Sequence, residues 1–225
     1  MNEIRATLLP VYFVVDESAS MAPHMAELNK GLADLHAALL AQPMTAAKVR
    51  ITVMGFSDTV KLHLHLADLR RVTSLPQLTI RTQTYYSAAF DALDKQIPVD
   101  IKHLKDQQFA VHRPAVFFLT DGQPTDGTLW HDVHRRLVDR VRTPSGPNIV
   151  AFGVGDVHPQ TILSVATSQH YAFVSTRGMD ISVAIANVCV ELTRSVIRSG
   201  SLVGSSNPEL FVERPQGFAM AIDLV

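Results

Sequence analysis

Asp16-Glu17-Ser18-Ala19-Ser20 and Thr120-Asp121-Gly122 are the two places where this sequence gathers groups able to do chemistry. Each follows a short, dense apolar run, residues 11–15 in the first case and 115–119 in the second. Thr82-Gln83-Thr84 adds two hydroxyls just ahead of a helical stretch. Carboxylates and hydroxyls are hard oxygen donors, suited to Mg²⁺, Mn²⁺ or Ca²⁺ rather than to zinc. The Asp-x-Ser-x-Ser spacing lets a loop leaving a strand turn alternate side chains toward one point. Ser18 and Ser20 then coordinate directly, and Asp16 does so directly or through water. Neutral hydroxyls do not quench the charge of a cation, so such a site stays electrophilic and accepts one more carboxylate from outside.

These residues need a frame that brings them to one rim. Residues 11–15 and 115–119 are dense apolar runs, and 49–56, 149–152 and 171–174 read as further strands, the central ones apolar on both faces and so buried on both. Residues 60–66 alternate, with Leu62, Leu64 and Leu66 on one face and His63 and His65 on the other. That predicts a half-exposed edge strand, joined to its neighbour through a hairpin at Ser57-Asp58. Met25, Leu28, Leu32, Leu35 and Leu39 keep helical spacing, and Pro23 suits a first turn, so residues 23–41 read as a helix. Further helices are expected at 86–96, ending before Pro98, and at 128–141, 161–166 and 181–198. Strands alternating with helices predict an α/β fold with a mostly parallel sheet covered on both sides. In such sheets ligands bind at the carboxyl ends of the strands, which is where Asp16 and Asp121 fall. A domain over 1–199 is expected. A Gly/Ser-rich linker at 200–207 and a tail over 210–225 follow, the tail either adding to the sheet edge as a hairpin or ordering on a partner.

The 225 residues suffice for one such domain. With 47% hydrophobic and 18% charged residues, the chain is globular rather than disordered. A formal net charge of −1 gives no global basic field for nucleic acid or anionic lipid. The one cysteine, Cys189, allows no intramolecular disulfide and fits a reducing compartment. The apolar run at 8–15 is too short to span a bilayer and lacks the features of a signal peptide. The chain therefore reads as cytoplasmic, with no membrane association.

Other polar residues have plainer readings. Glu17 falls between the ligand positions and reads as a solvated side chain. Asp126 reads as a turn or cap residue ahead of the helix near Thr128. Gly153 and Gly155 permit a tight turn and do not complete a dinucleotide fingerprint. The pairs His63/His65 and His131/His134 lack a third ligand nearby in sequence and read as surface histidines. Cys189 reads as core. Of Tyr85 and Tyr86, one is expected to pack and the other to line a partner surface.

The order Asp16-x-Ser18-x-Ser20, a threonine loop, then Thr120-Asp121-Gly122 resembles the metal-ion-dependent adhesion site of von Willebrand factor A (integrin I-like) domains. Thr84-Tyr85-Tyr86-Ser87-Ala88-Ala89-Phe90 is similar to that family's Thr-x-x-Gly-Ala-Ala-Leu helix start, with Ser87 in place of glycine and no Gly-Gly ahead of the threonine. Thr120 to Asp126 and Phe152 to Asp156 are similar to bacterial cytosolic members, including those linked to tellurium-resistance clusters. The resemblance covers about residues 9–198. It implies a Rossmann-like, doubly wound, six-stranded sheet with one antiparallel edge strand. It implies a metal site of Asp16, Ser18, Ser20, Thr84 and Asp121, with Thr82 as the rival to Thr84. It also implies metal-dependent protein binding without catalysis, in bacteria often as a scaffold in a multiprotein system, with a protein partner that supplies a carboxylate.

Two other functions compete. A metal-dependent phosphohydrolase on a similar sheet uses an aspartate after the first strand, but Ser18 stands where that chemistry wants a general acid. No Gly-x-Ser-x-Gly elbow or phosphate-binding loop is present. Alternatively, Glu209, Glu213 or Asp223 of the tail reaches a neighbouring copy's metal and drives self-assembly.

Overall fold

The computed structural model describes residues 4–205 and 209–225. Its strands are β1 (Thr7–Asp16), β2 (Val49–Phe56), β3 (Val60–Ala67), β4 (Ala110–Val111), β5 (Ala115–Thr120), β6 (Asn148–Gly153), β7 (Ala172–Ser175) and β8 (Phe218–Met220). The helices are α1 (Met25–Leu40), α2 (Pro43–Ala46), α3 (Tyr86–Asp106), α4 (Trp130–Val138), α5 (Pro159–Val165) and α6 (Ile181–Leu202). Among the described residues one eight-stranded sheet runs β3-β2-β1-β5-β6-β7-β8, with β4 paired to the start of β1. β2, β1, β5, β6 and β7 are mutually parallel, as their unbroken apolar runs require. β3 and β8 are antiparallel edges.

The alternation along β1 divides the core. Val11, Phe13 and Val15 face one side, where Leu28, Leu32 and Leu35 of α1 and Val188, Leu192 and Val196 of α6 cover them. Tyr12 and Val14 face the other, against Tyr86 and Phe90 of α3, Trp130 of α4 and Ile162 of α5. On that side Phe118 stacks on Phe56 at 5.0 Å and on Phe90 at 5.4 Å. Two packed helical layers thus lock the sheet whose carboxyl ends present Asp16 and Thr120.

The mostly parallel sheet and its hairpin at Ser57 agree with the expectation from sequence. Eight strands stand where six were expected. The two extra are β4, only two residues long, and β8, which belongs to the tail. The tail contributes one strand rather than a hairpin. It packs Val212 and Leu210 against the core and buries Phe218. Of the expected linker, Gly200 to Leu202 instead continue α6, and Ser206 and Asn207 lie outside the described residues.

The helix expected to stop before Pro98 runs on to Asp106. Pro98 cannot donate to the carbonyl one turn back, at a local cost near 3 kcal/mol. Ile97 and Leu104, on either side of it, are both buried. Burial of that continuous apolar face outweighs the missing bond. Asp100, one turn beyond, is also buried and accepts from Tyr12 Oη and Gln96 Nε2 at 2.7 Å each.

Candidate metal centre

β1 ends in Asp16 and passes directly into a short 3₁₀ turn, Ala19–His24. Asp16 is wholly buried, and its carboxylate is held on both oxygens. Oδ1 accepts from the Ser18 amide at 2.9 Å and Oδ2 from Thr120 Oγ1 at 2.7 Å. Ser18 Oγ lies 3.0 Å from Ser20 Oγ. Ser20 Oγ in turn donates to Asp121 Oδ1 at 2.8 Å. Four of the five expected side chains therefore form one chain of contacts across the ends of β1 and β5.

Thr84 arrives from the far side of the rim. It is 6% exposed, whereas Thr82 is exposed. Its hydroxyl lies next to Gly122: a Cβ there would stand 3.8 Å from Thr84 Oγ1, an ordinary contact. The threonine loop is fixed by residues that the sequence reading did not single out. Ser57, fully buried in the β2–β3 turn, donates Oγ to the Gln83 carbonyl at 2.7 Å and accepts from the Gln83 amide at 2.9 Å. Its carbonyl accepts from the Tyr85 amide at 3.0 Å. From the other side the Thr125 amide donates to the Thr84 carbonyl at 2.9 Å. Tyr86, fully buried, donates its hydroxyl to the Gly122 carbonyl at 2.9 Å, while Tyr85 is only partly buried.

Burial also sets the electrostatics. It raises the Asp16 carboxyl to about 6, against hydrogen bonds from Thr120 and Ser18 that lower it, and the charge of Asp121 adds to the rise. Asp121 is raised as well, chiefly by burial. A buried carboxylate and a partly buried one near it, each costly to ionise, are relieved by a cation between them. Among the described residues no group of three or more His, Cys, Asp or Glu side chains suits a metal. Hydroxyls must therefore complete any coordination shell, which points to a hard ion. The oxygen separations of 2.8 and 3.0 Å match the spacing of about 3.0 Å between neighbouring ligands of an octahedral Mg²⁺ at its usual bond length. Ser20 is exposed, so the rim opens to solvent there.

Several expectations are corrected. Glu17 is not solvated but fully buried. Its carboxylate meets His63 Nε2 at 2.7 Å, the Thr79 amide at 2.9 Å and Arg81 Nε at 3.1 Å. The His63 side chain is accordingly 2% exposed rather than superficial. His134 is also buried, 2.8 Å from the Val165 carbonyl, because α4 turns that face onto α5. His65 and His131 do stand at the surface. Asp126 caps α3 rather than α4, accepting from the Ser87 amide at 2.8 Å. Cys189 is core, as expected. The sequence held one signal for Glu17: Gly55, an isolated glycine in an otherwise bulky strand, marks a close approach.

The sheet, its order and this oxygen-lined rim define a Rossmann-like α/β domain with its site at the strand ends. The von Willebrand factor type A domain family model matches residues 11–185, and the chain belongs to that family. No curated protein matches the sequence. Solved structures share the fold at low identity. Proximal thread matrix protein 1 from the mussel byssus superimposes with a TM-score of 0.57 at 16% identity, over 85% of this chain and 47% of that one. A form of the same protein with a zinc-occupied MIDAS motif matches with a TM-score of 0.51 at 17% identity, over 82% and 46%. The pilus adhesin SpaC from Lactobacillus rhamnosus GG gives 0.64 at 12% identity, over 86% and 30%. The chain thus spans about half the length of the byssus protein and under a third of the adhesin. Among the described residues no helix is long and apolar enough to cross a membrane.

Proposed function

We propose that this domain is a metal-dependent protein-binding module in which Asp16, Ser18, Ser20, Thr84 and Asp121 hold a divalent cation, Mg²⁺ or else Mn²⁺ or Ca²⁺. The observation that carries the reading is the convergence of the Ser18, Ser20 and Asp121 oxygens at 2.8–3.0 Å spacing, with Asp16 and Asp121 both made costly to ionise by burial. Ser18 and Ser20 supply neutral oxygens, Asp16 and Asp121 supply charge, and Thr84 closes the far side. The exposed edge at Ser20 leaves a position for a carboxylate from a protein partner. Family membership and the zinc-occupied motif of the byssus relative support the same reading. The finer reading is a cytoplasmic scaffold in a bacterial multiprotein system, supported by the single buried cysteine. We read the domain as residues 1–199 and residues 200–225 as its appendage, and the chain as non-catalytic. Both Asp16 oxygens are engaged, by Thr120 and by the Ser18 amide, which speaks against its use as a nucleophile.

The test is a calorimetric titration of chelator-stripped protein with Mg²⁺ and Mn²⁺ beside Asp16→Ala, followed by partner capture with and without chelator. Saturable binding lost in the variant, and capture abolished by chelator, are the expected results. Turnover of a generic phosphoester that Asp16→Asn abolishes would replace this reading with the hydrolase.

A further inference from the structure

The end of the sheet opposite the metal centre has its own concentration of charge. β1 begins there, and β5 begins there after the segment His112-Arg113-Pro114. Eight residues of β1 separate this end from Asp16, roughly 26 Å at the rise of an extended strand. A recess of about 510 Å³ lies between the last turns of α3, the β4–β5 link and the loop at Pro144. Three cations, Lys102, Lys105 and Arg113, and one carboxylate, Asp106, line it. Lys102 is paired with Asp106 at 2.6 Å. Among the described residues no carboxylate pairs with Lys105 or Arg113. Arg113 Nη1 spends itself on backbone, donating to the Gly146 carbonyl at 2.5 Å, which leaves its positive charge uncompensated. His112 also lines the recess, and its Nε2 is buried without a hydrogen-bond partner among the described residues.

We propose that this recess is an anion site that takes a phosphate group, with Arg113 and Lys105 as its cationic ligands and His112 at its wall. Donors reach it from separate segments: the end of α3 and the link between β4 and β5. A phosphate dianion offers three acceptor oxygens and charge enough to engage both cations together. The planar fork of Arg113 suits that geometry. Burial and the like charge of Arg140 both press the Arg113 guanidinium toward its neutral form, a cost that a bound anion removes. Ile101, Pro114 and Pro144 give the recess apolar walls, so it accepts a phosphate carried on an apolar body. Among the described residues no Phe, Tyr or Trp lines it, and stacking on such rings is what single-stranded nucleic acid favours.

The experiment is an amide-shift titration of the ¹⁵N-labelled full chain, free of divalent metal. The probes are inorganic phosphate, O-phosphoserine and a leucine-flanked phosphoserine peptide, each against sodium chloride at matched ionic strength. Saturable shifts centred on Lys105, Val111 to Arg113 and Gly146 are expected. Affinity should fall tenfold or more in Arg113→Gln and threefold or more in Lys105→Gln. Among the described residues Lys105 makes no side-chain hydrogen bond or ion pair, so its variant keeps the test sound even if Arg113→Gln loosens the Pro144 loop. A peptide that binds tenfold tighter than inorganic phosphate places the group on a protein, and equal affinities place it on a small molecule. Shifts that chloride reproduces, or affinities unchanged in both variants, overturn the site. A decathymidylate that displaces phosphoserine at tenfold lower concentration overturns it in favour of a nucleic-acid groove.

Discussion

The Glu17 carboxylate occupies the space that a side chain at position 55 would need. A Cβ built on Gly55 would stand 2.1 Å from Glu17 Cδ and 2.2 and 2.5 Å from its two oxygens. Glu17 sits inside the metal-binding stretch, between Asp16 and Ser18, and its carboxylate ties that stretch to His63 of β3 and to Arg81 of the loop leading to Thr84. The glycine is therefore what lets a buried acid brace both sides of the rim.

Gly55→Ala should break this arrangement. The new methyl meets a fully hydrogen-bonded buried carboxylate, which has nowhere to go without leaving charges unpaired. We expect a loss of roughly 2–4 kcal/mol in urea unfolding, at the upper end of the cost of overpacking. Metal affinity should fall at least tenfold in the fraction that remains folded. A Gly55→Ala protein of wild-type stability would show that Glu17 is not held as described.

Metal binding should depend on pH through Asp16. In the metal-free protein its carboxyl keeps its proton up to about pH 6, while in the unfolded chain it loses it near the ordinary value of 3.8. Between those values the folded state binds more protons, so this group's contribution to stability declines as pH rises through that window and levels off above it. A metal needs the carboxylate and displaces the proton. Mg²⁺ affinity should therefore climb by up to about tenfold between pH 5 and pH 6 and flatten above pH 7. Calorimetry in two buffers of different ionisation enthalpy checks this, since proton release must accompany binding at pH 5 and vanish at pH 8.

The threonine loop offers a sharper comparison. Thr84→Ala should weaken Mg²⁺ binding about tenfold or more, whereas Thr82→Ala, at an exposed position, should leave it unchanged. Ser57→Ala removes no ligand. It does remove both side-chain bonds that fix Gln83 beside Thr84, leaving two partly buried backbone groups without these partners at a cost of about 0.5–1.5 kcal/mol. Metal affinity should drop by a similar factor to Thr84→Ala, while far-ultraviolet circular dichroism stays native. Equal affinity in Ser57→Ala and wild type would mean that the backbone bonds from Tyr85 to Ser57 and from Thr125 to Thr84 suffice to hold the loop.

What the sequence revealed follows from which signals are local. The buried strands show as unbroken apolar runs because both their faces are covered, and the Asp-x-Ser-x-Ser stretch shows because its residues are neighbours. Pro98 misled because helix propensity is a weak local preference that the buried face of α3 overrides. β8 was legible only as two short apolar runs after a Gly/Ser-rich stretch, since three residues give no period to read. Glu17, His63 and Ser57 were missed for one reason. Each is placed by partners 26 to 64 residues away, and a polar residue read alone looks solvated. Only the glycines announce such approaches, because an absent side chain is the trace of another group's presence.

Gly31 makes the same argument between the two helices α1 and α6. A Cβ there would stand 2.2 Å from Cys189 Sγ and 2.5 Å from Cys189 Cβ, but 4.0 Å from its Cα. α1 and α6 thus cross so closely that one side must lack a side chain. Gly31→Ala should destabilise the domain by about 2–4 kcal/mol, since neither helix can retreat without opening the core beneath Leu28 and Val188. Cys189→Gly alone should cost about 1–3 kcal/mol through the lost packing and the flexibility of glycine in a helix. The swap, Gly31→Ala with Cys189→Gly, moves the methyl from one helix to the other and leaves the Cα at an ordinary contact distance. It should be more stable than the sum of the single changes by about 1–3 kcal/mol in a double-mutant cycle read by urea unfolding. Additivity within about 0.5 kcal/mol would mean that the helices separate freely. The same burial pushes the Cys189 thiol up to about 12, so alkylation of the native protein at pH 8 should be slow and should accelerate in Gly31→Ala as the helices part.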